Sequence, residues 1–165
     1  MRPSEMDRAT FLACFGHVFE HSPWIAEAAW EARPRPDTAE GLHAAMVAVL
    51  RAAPHGRQLA LLNAHPDLAG KLAVSGALTA DSTAEQASAG LDRCTPEEFA
   101  RFTALNDAYK ARFGFPFILA VKGKSRAEIL EAFEQRISNT PEEEFAAAMA
   151  QVERITFLRL KDLLP

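Results

Sequence analysis

The sequence predicts an all-α fold: a single compact domain of about eight or nine helices with one buried extended segment. Three observations carry that class. Serine, threonine and aspartate recur just ahead of apolar runs, several with proline next and glutamate three residues on, the pattern of helix N-termini. Within the runs, apolar residues return with a 3.6-residue rhythm. Only "FPFILAV", Phe115 to Val121, is continuously apolar without that rhythm, and a single strand has no partner, so it is expected as an extended segment between helices. At 165 residues the chain fits one domain, residues 1–165, large enough to bury a core without staples. It shows no repeat, linker or low-complexity tract.

In chain order, Ser4 precedes "EMDRATFLACFGHVF", where Phe11, Leu12, Phe15, Val18 and Phe19 fall on one face. Ser22-Pro23 reads as an N-cap with proline at the first helical position, opening a helix that runs to Arg33-Pro34. Thr38 opens "AEGLHAAMVAVLRAA", and Pro54 closes it. The next helix, from about Gly56, ends at His65 because the residue before proline is driven out of the α region. Pro66 then starts "DLAGKLA", with Asp67 in its first turn, where a carboxylate suits the helix dipole. In "DSTAEQ", Ser82 and Glu85 have the spacing of a capping box. Thr95 caps the long "TPEEFARFTALNDAYKARFG", with Pro96 at the first position, Glu98 completing the box and Gly114 as terminator. Ser125 with Glu128 starts another helix, and Thr140-Pro141 with Glu143 starts the last. The acidic "PEEEF" is accounted for as a first turn.

Composition narrows the function classes. The formal net charge is −4 with acids and bases interspersed, whereas nucleic acid or an anionic membrane calls for a concentrated basic face. No apolar run approaches the roughly 20 residues of a membrane span. "MRPSEMDRATF" carries charges where a signal peptide has its apolar core. Cys14 and Cys94 lack CxxC spacing and suit a reducing compartment, and the terminal "LKDLLP" is not a Ser-Lys-Leu address. The expectation is a cytoplasmic protein with neither nucleic acid nor membrane as partner.

Candidate chemistry gathers at few places. His65 stands at a corner stiffened by Pro66, which fits either a catalytic imidazole or a helix-end histidine favoured by the dipole. Ser82, Glu85 and Gln86 offer a donor, a carboxylate and an amide on one short helix, suited to a ligand rich in urea-like N–H and C=O groups. The buried backbone of Phe113 to Gly123 needs hydrogen-bond partners that a sheet would otherwise supply, and a polar ligand is one source. His17 and His21, four apart on the first helix, have metal-ligand spacing without an HExxH pattern. Arg159, in "ITFLRLKDLL", fits a snorkelling surface side chain better than a buried anion clamp.

"HPDLAGK" (65–71), then Ser82-Thr83-Ala84-Glu85-Gln86, then "NDAYKARFGFPFILAVKG" (106–123), then a final helix with "ERITFLRLKDL" resemble the 2-oxo-4-hydroxy-4-carboxy-5-ureidoimidazoline (OHCU) decarboxylase family. The resemblance covers nearly the whole chain. It implies an all-helical, commonly dimeric protein of urate breakdown that releases CO2 and forms (S)-allantoin. Position by position, it implies His65 as the catalytic histidine and Pro66, Ser82, Glu85 and Gln86 as substrate contacts. Phe117, Ile118, Leu119, Ala120 and Val121 match the segment whose backbone holds the substrate, and Arg159 matches a further contact. Thr83 and Ala84 are small, leaving only backbone contacts there. The substrate carries its carboxylate beside a ring C=N that takes up the electrons left by CO2, so no pyridoxal phosphate, thiamine or metal is expected. The implied partners are the small-molecule ureidoimidazoline and a second copy of the chain. Two other readings remain open: a non-catalytic helical binding or adaptor domain on the same scaffold, and a metal-dependent hydrolase using His17 and His21.

Overall fold

The computed structural model describes residues 1–70 and 78–165. Among them are eight α-helices, two short 3₁₀ turns and no strand, the all-α class that the sequence predicts. Two compact units emerge, residues 1–64 with 152–165, and residues 65–151. No described helix is long and apolar enough to cross a membrane.

The first unit holds α1 (Arg8–Phe15), α2 (Trp24–Glu31), α3 (Ala39–Ala52), α4 (His55–Asn63) and the second half of α8 (Pro141–Leu163). Asp7, not Ser4, caps α1, its carboxylate accepting the Thr10 N–H at 2.8 Å. Ser4 lies in a 3₁₀ turn with its hydroxyl and amide both given to the Asp37 carboxylate. Because α1 stops at Phe15, Val18 and Phe19 enter the core from irregular backbone. For the same reason His17 and His21 share no helical face, and His21 takes a left-handed φ of 47°. Nor does Ser22 cap α2: its hydroxyl donates to the Glu20 carbonyl, and Pro23 takes the cap position. Thr38 caps α3 as expected, accepting from the Gly41 N–H at 3.1 Å. α2 packs against both α1 and α3, and Phe11, Phe15, Ile25, Leu42, Met46 and Leu50 are buried there.

His43 on α3 has its Nε2 3.1 Å from the Thr156 hydroxyl and its ring edge-on to Phe157. Burial holds its pKa below the usual histidine value, opposed more weakly by the backbone and carboxylate of Glu153. The unfolded chain therefore binds a proton that the folded chain resists, and stability falls as pH drops below the ordinary histidine value of about 6.5. The Tm is expected to decline between pH 7.5 and 5.5, and His43→Gln to flatten that decline. Melting curves of both proteins across this range check it, since the capping carboxylates Glu98, Glu128 and Glu143 are held below the usual range and act only at lower pH.

The second unit holds α5 (Ala80–Ser88), α6 (Pro96–Phe113), α7 (Arg126–Arg136) and the first half of α8. The capping boxes Thr95/Glu98, Ser125/Glu128 and Thr140/Glu143 all form. Gly114 ends α6 in the left-handed region at φ 79°, which a side chain would strain. Residues 115–121 form no regular secondary structure and, apart from the half-buried Ala120, are buried. Phe117 stacks flat on Phe133 with centroids 3.9 Å apart.

Two expectations here are corrected. Thr79, not Ser82, caps α5, accepting from the Ser82 N–H at 3.3 Å, so Ser82 and Glu85 sit inside the helix. Pro66 and Asp67 do not open a helix; residues 66–70 are irregular or turn. The remainder of the helix expected over "DLAGKLA", including Lys71, falls in residues 71–77, outside those described.

Candidate active site

His65 comes one residue after Ala64, the C-cap of α4. The residue is nearly enclosed, 9% exposed, and its Nε2 atom is buried. Pro66 and Asp67 continue without regular structure, and Leu68-Ala69 form a turn in which Ala69 adopts φ 53°. A non-glycine residue in that region costs on the order of 1–3 kcal/mol and persists only where its surroundings over-determine it. Leu68 and Ala69 are both buried, so their backbone groups depend on protein partners.

Those partners come from α5 and α6. Ser82 and Gln86 lie one turn apart on the buried face of α5, with Glu85 half-buried beside them. The Gln86 amide accepts from the Ala69 N–H at 3.0 Å and donates to the Asp67 carbonyl at 3.1 Å. Asn106 on α6 donates through Nδ2 to the Leu68 carbonyl at 2.9 Å. Four residues on, Lys110 pairs with Asp67 at 2.8 Å. Both partners are partly exposed, so the pair is worth about 0–1 kcal/mol. Asp67 thus serves as an ion-pair partner, not as a helix-start residue.

The backbone of Phe117 to Val121 is held from its other neighbours. Arg136, closing α7, donates to the Ile118 carbonyl at 2.6 Å and lies over the Phe117 ring. The Ala120 N–H donates to Gln151 Oε1 at 2.9 Å. Arg136 is anchored in turn by Glu144, whose Oε1 accepts from Nε at 2.8 Å and whose Oε2 accepts from Nη2 at 3.0 Å. Burial first, and then the Glu144 carboxylate, push the Tyr109 phenol up, so it stays protonated and donates to Glu144 at 3.2 Å. Glu144 belongs to "PEEEF", so that run is more than an acidic first turn. α6 serves both halves of this unit: Asn106 bonds the corner, and Tyr109, three residues on, has its ring centroid 5.5 Å from that of Phe117.

Asn106, Arg136, Glu144 and Gln151 are thus supporting residues that sequence reasoning missed. Asn106 lies in a quoted motif, but nothing in its spacing names a backbone carbonyl 38 residues away. Arg136 and Glu144 read locally as a helix-end cation and a helix-start acid, and only the packing reveals the buried pair.

Arg159 lies in the first unit. It is buried, not snorkelling: its guanidinium donates to the Val18 carbonyl at 3.1 Å and to Glu20 at 3.2 Å. An open groove of about 540 Å³ in the same unit is lined by Arg8, Trp24, Glu27 and Arg57 among others, and by none of the predicted site residues. Among the described residues no group of three or more His, Cys, Asp or Glu is placed to hold a metal ion. Cys14 and Cys94 are free thiols.

A family model described as OHCU decarboxylase matches residues 4–161. The chain is 41% identical over 160 residues to the 2-oxo-4-hydroxy-4-carboxy-5-ureidoimidazoline decarboxylase of Halalkalicoccus jeotgali, covering 97% of this chain and 88% of that protein. To the mouse (Mus musculus) protein of the same name it is 38% identical over 164 residues, covering 99% and 92% respectively. It is 40% identical to the uric acid degradation bifunctional protein PucL of Bacillus subtilis, aligning with 98% of this chain but 32% of that protein. Among solved structures, a crystal structure of (S)-allantoin synthase superposes with a TM-score of 0.78 at 32% identity, over 98% of this chain and 52% of that chain. A crystal structure of OHCU decarboxylase in the presence of (S)-allantoin gives a TM-score of 0.72 over 95% of this chain and 98% of that one, a likeness of fold at 23% identity.

Proposed function

The chain belongs to the OHCU decarboxylase family, and from that premise we propose that it decarboxylates 2-oxo-4-hydroxy-4-carboxy-5-ureidoimidazoline to (S)-allantoin in urate breakdown, with His65 as the acid. The observation that carries the role of His65 is its enclosure at a corner in which Asp67, Leu68 and Ala69 are bonded from α5 and α6. An imidazole so fixed has one direction in which to present a proton, as stereospecific protonation requires.

The chemistry follows from the substrate. The bond from C4 to its carboxylate breaks, CO2 leaves, and the electron pair enters the neighbouring ring C=N, whose nitrogen takes up a proton. The resulting enol takes a proton at the carbon bearing the ureido group and releases its hydroxyl proton to become the C4 carbonyl. Allantoin's single stereocentre is set by the face that receives the proton. His65 hydrogen-bonds the carboxylate or the neighbouring hydroxyl and acts as the acid; a well-placed proton donor contributes on the order of 10² to 10⁴ in rate. Pro66, Ser82, Glu85 and Gln86 surround the substrate in this reading, and the Phe117 to Val121 backbone holds it. The role of Arg159 as a contact rests on the resemblance alone. Residues 1–165 act as one domain, as a homodimer in the cytoplasm.

The test follows CO2 release and the circular dichroism of allantoin formed from freshly generated substrate. Accelerated release with one enantiomer is expected. A binding or adaptor domain would leave the slow, racemic spontaneous decay unchanged.

A further inference from the structure

The corner after His65 combines features that a simple loop does not need. Three consecutive residues each have a backbone polar group bonded to a side-chain amide: the Asp67 carbonyl and Ala69 N–H to Gln86, and the Leu68 carbonyl to Asn106. The Gln86 contacts are reciprocal, one accepted and one donated, so turning its amide over would set oxygen against oxygen and N–H against N–H. Its orientation is therefore fixed. The Asn106 orientation is fixed too, because only Nδ2 can face the Leu68 carbonyl. That choice leaves Asn106 Oδ1 buried with no hydrogen-bond partner among the described residues. The backbone thus held includes Ala69 in the left-handed region.

We propose that Asn106 and Gln86 are positioning residues: their amides fix the backbone of Asp67, Leu68 and Ala69 and thereby aim His65. The inference rests on the reading of His65 as the acid. It also changes what the resemblance implies for Gln86, whose amide is already engaged by the corner and acts on the substrate through the histidine. Asn106 enters the machinery from α6, outside the residues that the resemblance assigns to the substrate. A loosened corner still admits substrate but presents the proton poorly, so the defect falls on turnover and on the face protonated.

The test compares wild type, Asn106→Asp and Gln86→Glu, each of which keeps side-chain size while setting a carboxylate oxygen against the carbonyl of Leu68 or Asp67, so that repulsion displaces the corner and draws the Ala69 N–H from its acceptor. Folding is checked by far-ultraviolet circular dichroism, and the clasp itself by hydrogen exchange at the Ala69 amide. The expected result is faster exchange, kcat lowered up to roughly 100-fold, KM changed by less than about threefold, and allantoin of reduced enantiomeric purity. Two results overturn the proposal: kcat and enantiomeric purity unchanged despite faster Ala69 exchange, or KM raised with kcat kept, which marks the amides as substrate contacts. Should Asn106→Asp fail to fold, Gln86→Glu carries the same outcomes. Failure of the parent reading is seen separately, as no acceleration by wild type or full turnover in His65→Gln, and it would take this inference with it. Failure of the inference alone leaves both of those results as expected.

Discussion

His65→Gln is expected to remove the enzymatic decarboxylation while leaving the protein folded. Glutamine fills similar space and still hydrogen-bonds, but it gives up no proton near neutral pH. The loss falls on the chemical step: turnover drops on the order of 10²- to 10⁴-fold, and residual product tends toward the racemate of spontaneous decay. His65→Ala should lose as much activity and also some stability, because the residue is only 9% exposed and removal of its ring leaves a void. The measurements are single-turnover CO2 release, the dichroism of the allantoin formed, and thermal melting of each variant. Near wild-type turnover with retained stereochemistry in His65→Gln would sink the assignment. A variant that melts well below wild type would shift the explanation to folding, and the glutamine substitution is chosen to avoid that.

Local signals in the sequence were strong where the chain needs only itself. Thr95, Ser125 and Thr140, each with glutamate three residues on, give three capping boxes, all of which form. The same spacing misleads at Ser82 and Glu85, because residues three apart also neighbour one another inside a helix; Thr79 holds the cap there. The aperiodic run Phe115 to Val121 is legible as a buried non-helical segment, but the side chains that hold it are not. Arg136 and Glu144 have ordinary identities for a helix end and a helix start, and their pairing is a product of packing. The corner at His65 divides the same way. Its break is written in Pro66, whereas its shape depends on Gln86 and Asn106 meeting backbone groups that have no residue-specific signature.

The largest loss of stability is expected from Glu144→Ala. The carboxylate is 0% exposed, and the Arg136 side chain it faces is 13% exposed. It accepts from Arg136 Nε and Nη2 and from the Tyr109 hydroxyl. Alanine would leave a guanidinium enclosed without its counter-charge, which costs about 3–5 kcal/mol, a large share of the ~5–15 kcal/mol that stabilises a typical folded domain. At ~2–4 °C per kcal/mol for a chain of this size, the Tm should fall by roughly 10 °C. Glu144→Gln keeps an acceptor toward Tyr109 and should lose less. Arg101 and Glu134 provide the comparison, an exposed pair at 2.8 Å with side chains 52% and 50% accessible. Arg101→Ala should move stability by no more than about 1 kcal/mol. If the two alanine variants melt alike, the buried network contributes no more than a surface contact. The consequence for activity runs through Arg136: its Nη1 holds the Ile118 carbonyl, and a guanidinium released from Glu144 no longer has one fixed position from which to do so. Activity of Glu144→Ala, measured below its Tm, should therefore fall even in the fraction that remains folded, whereas Arg101→Ala should keep full turnover.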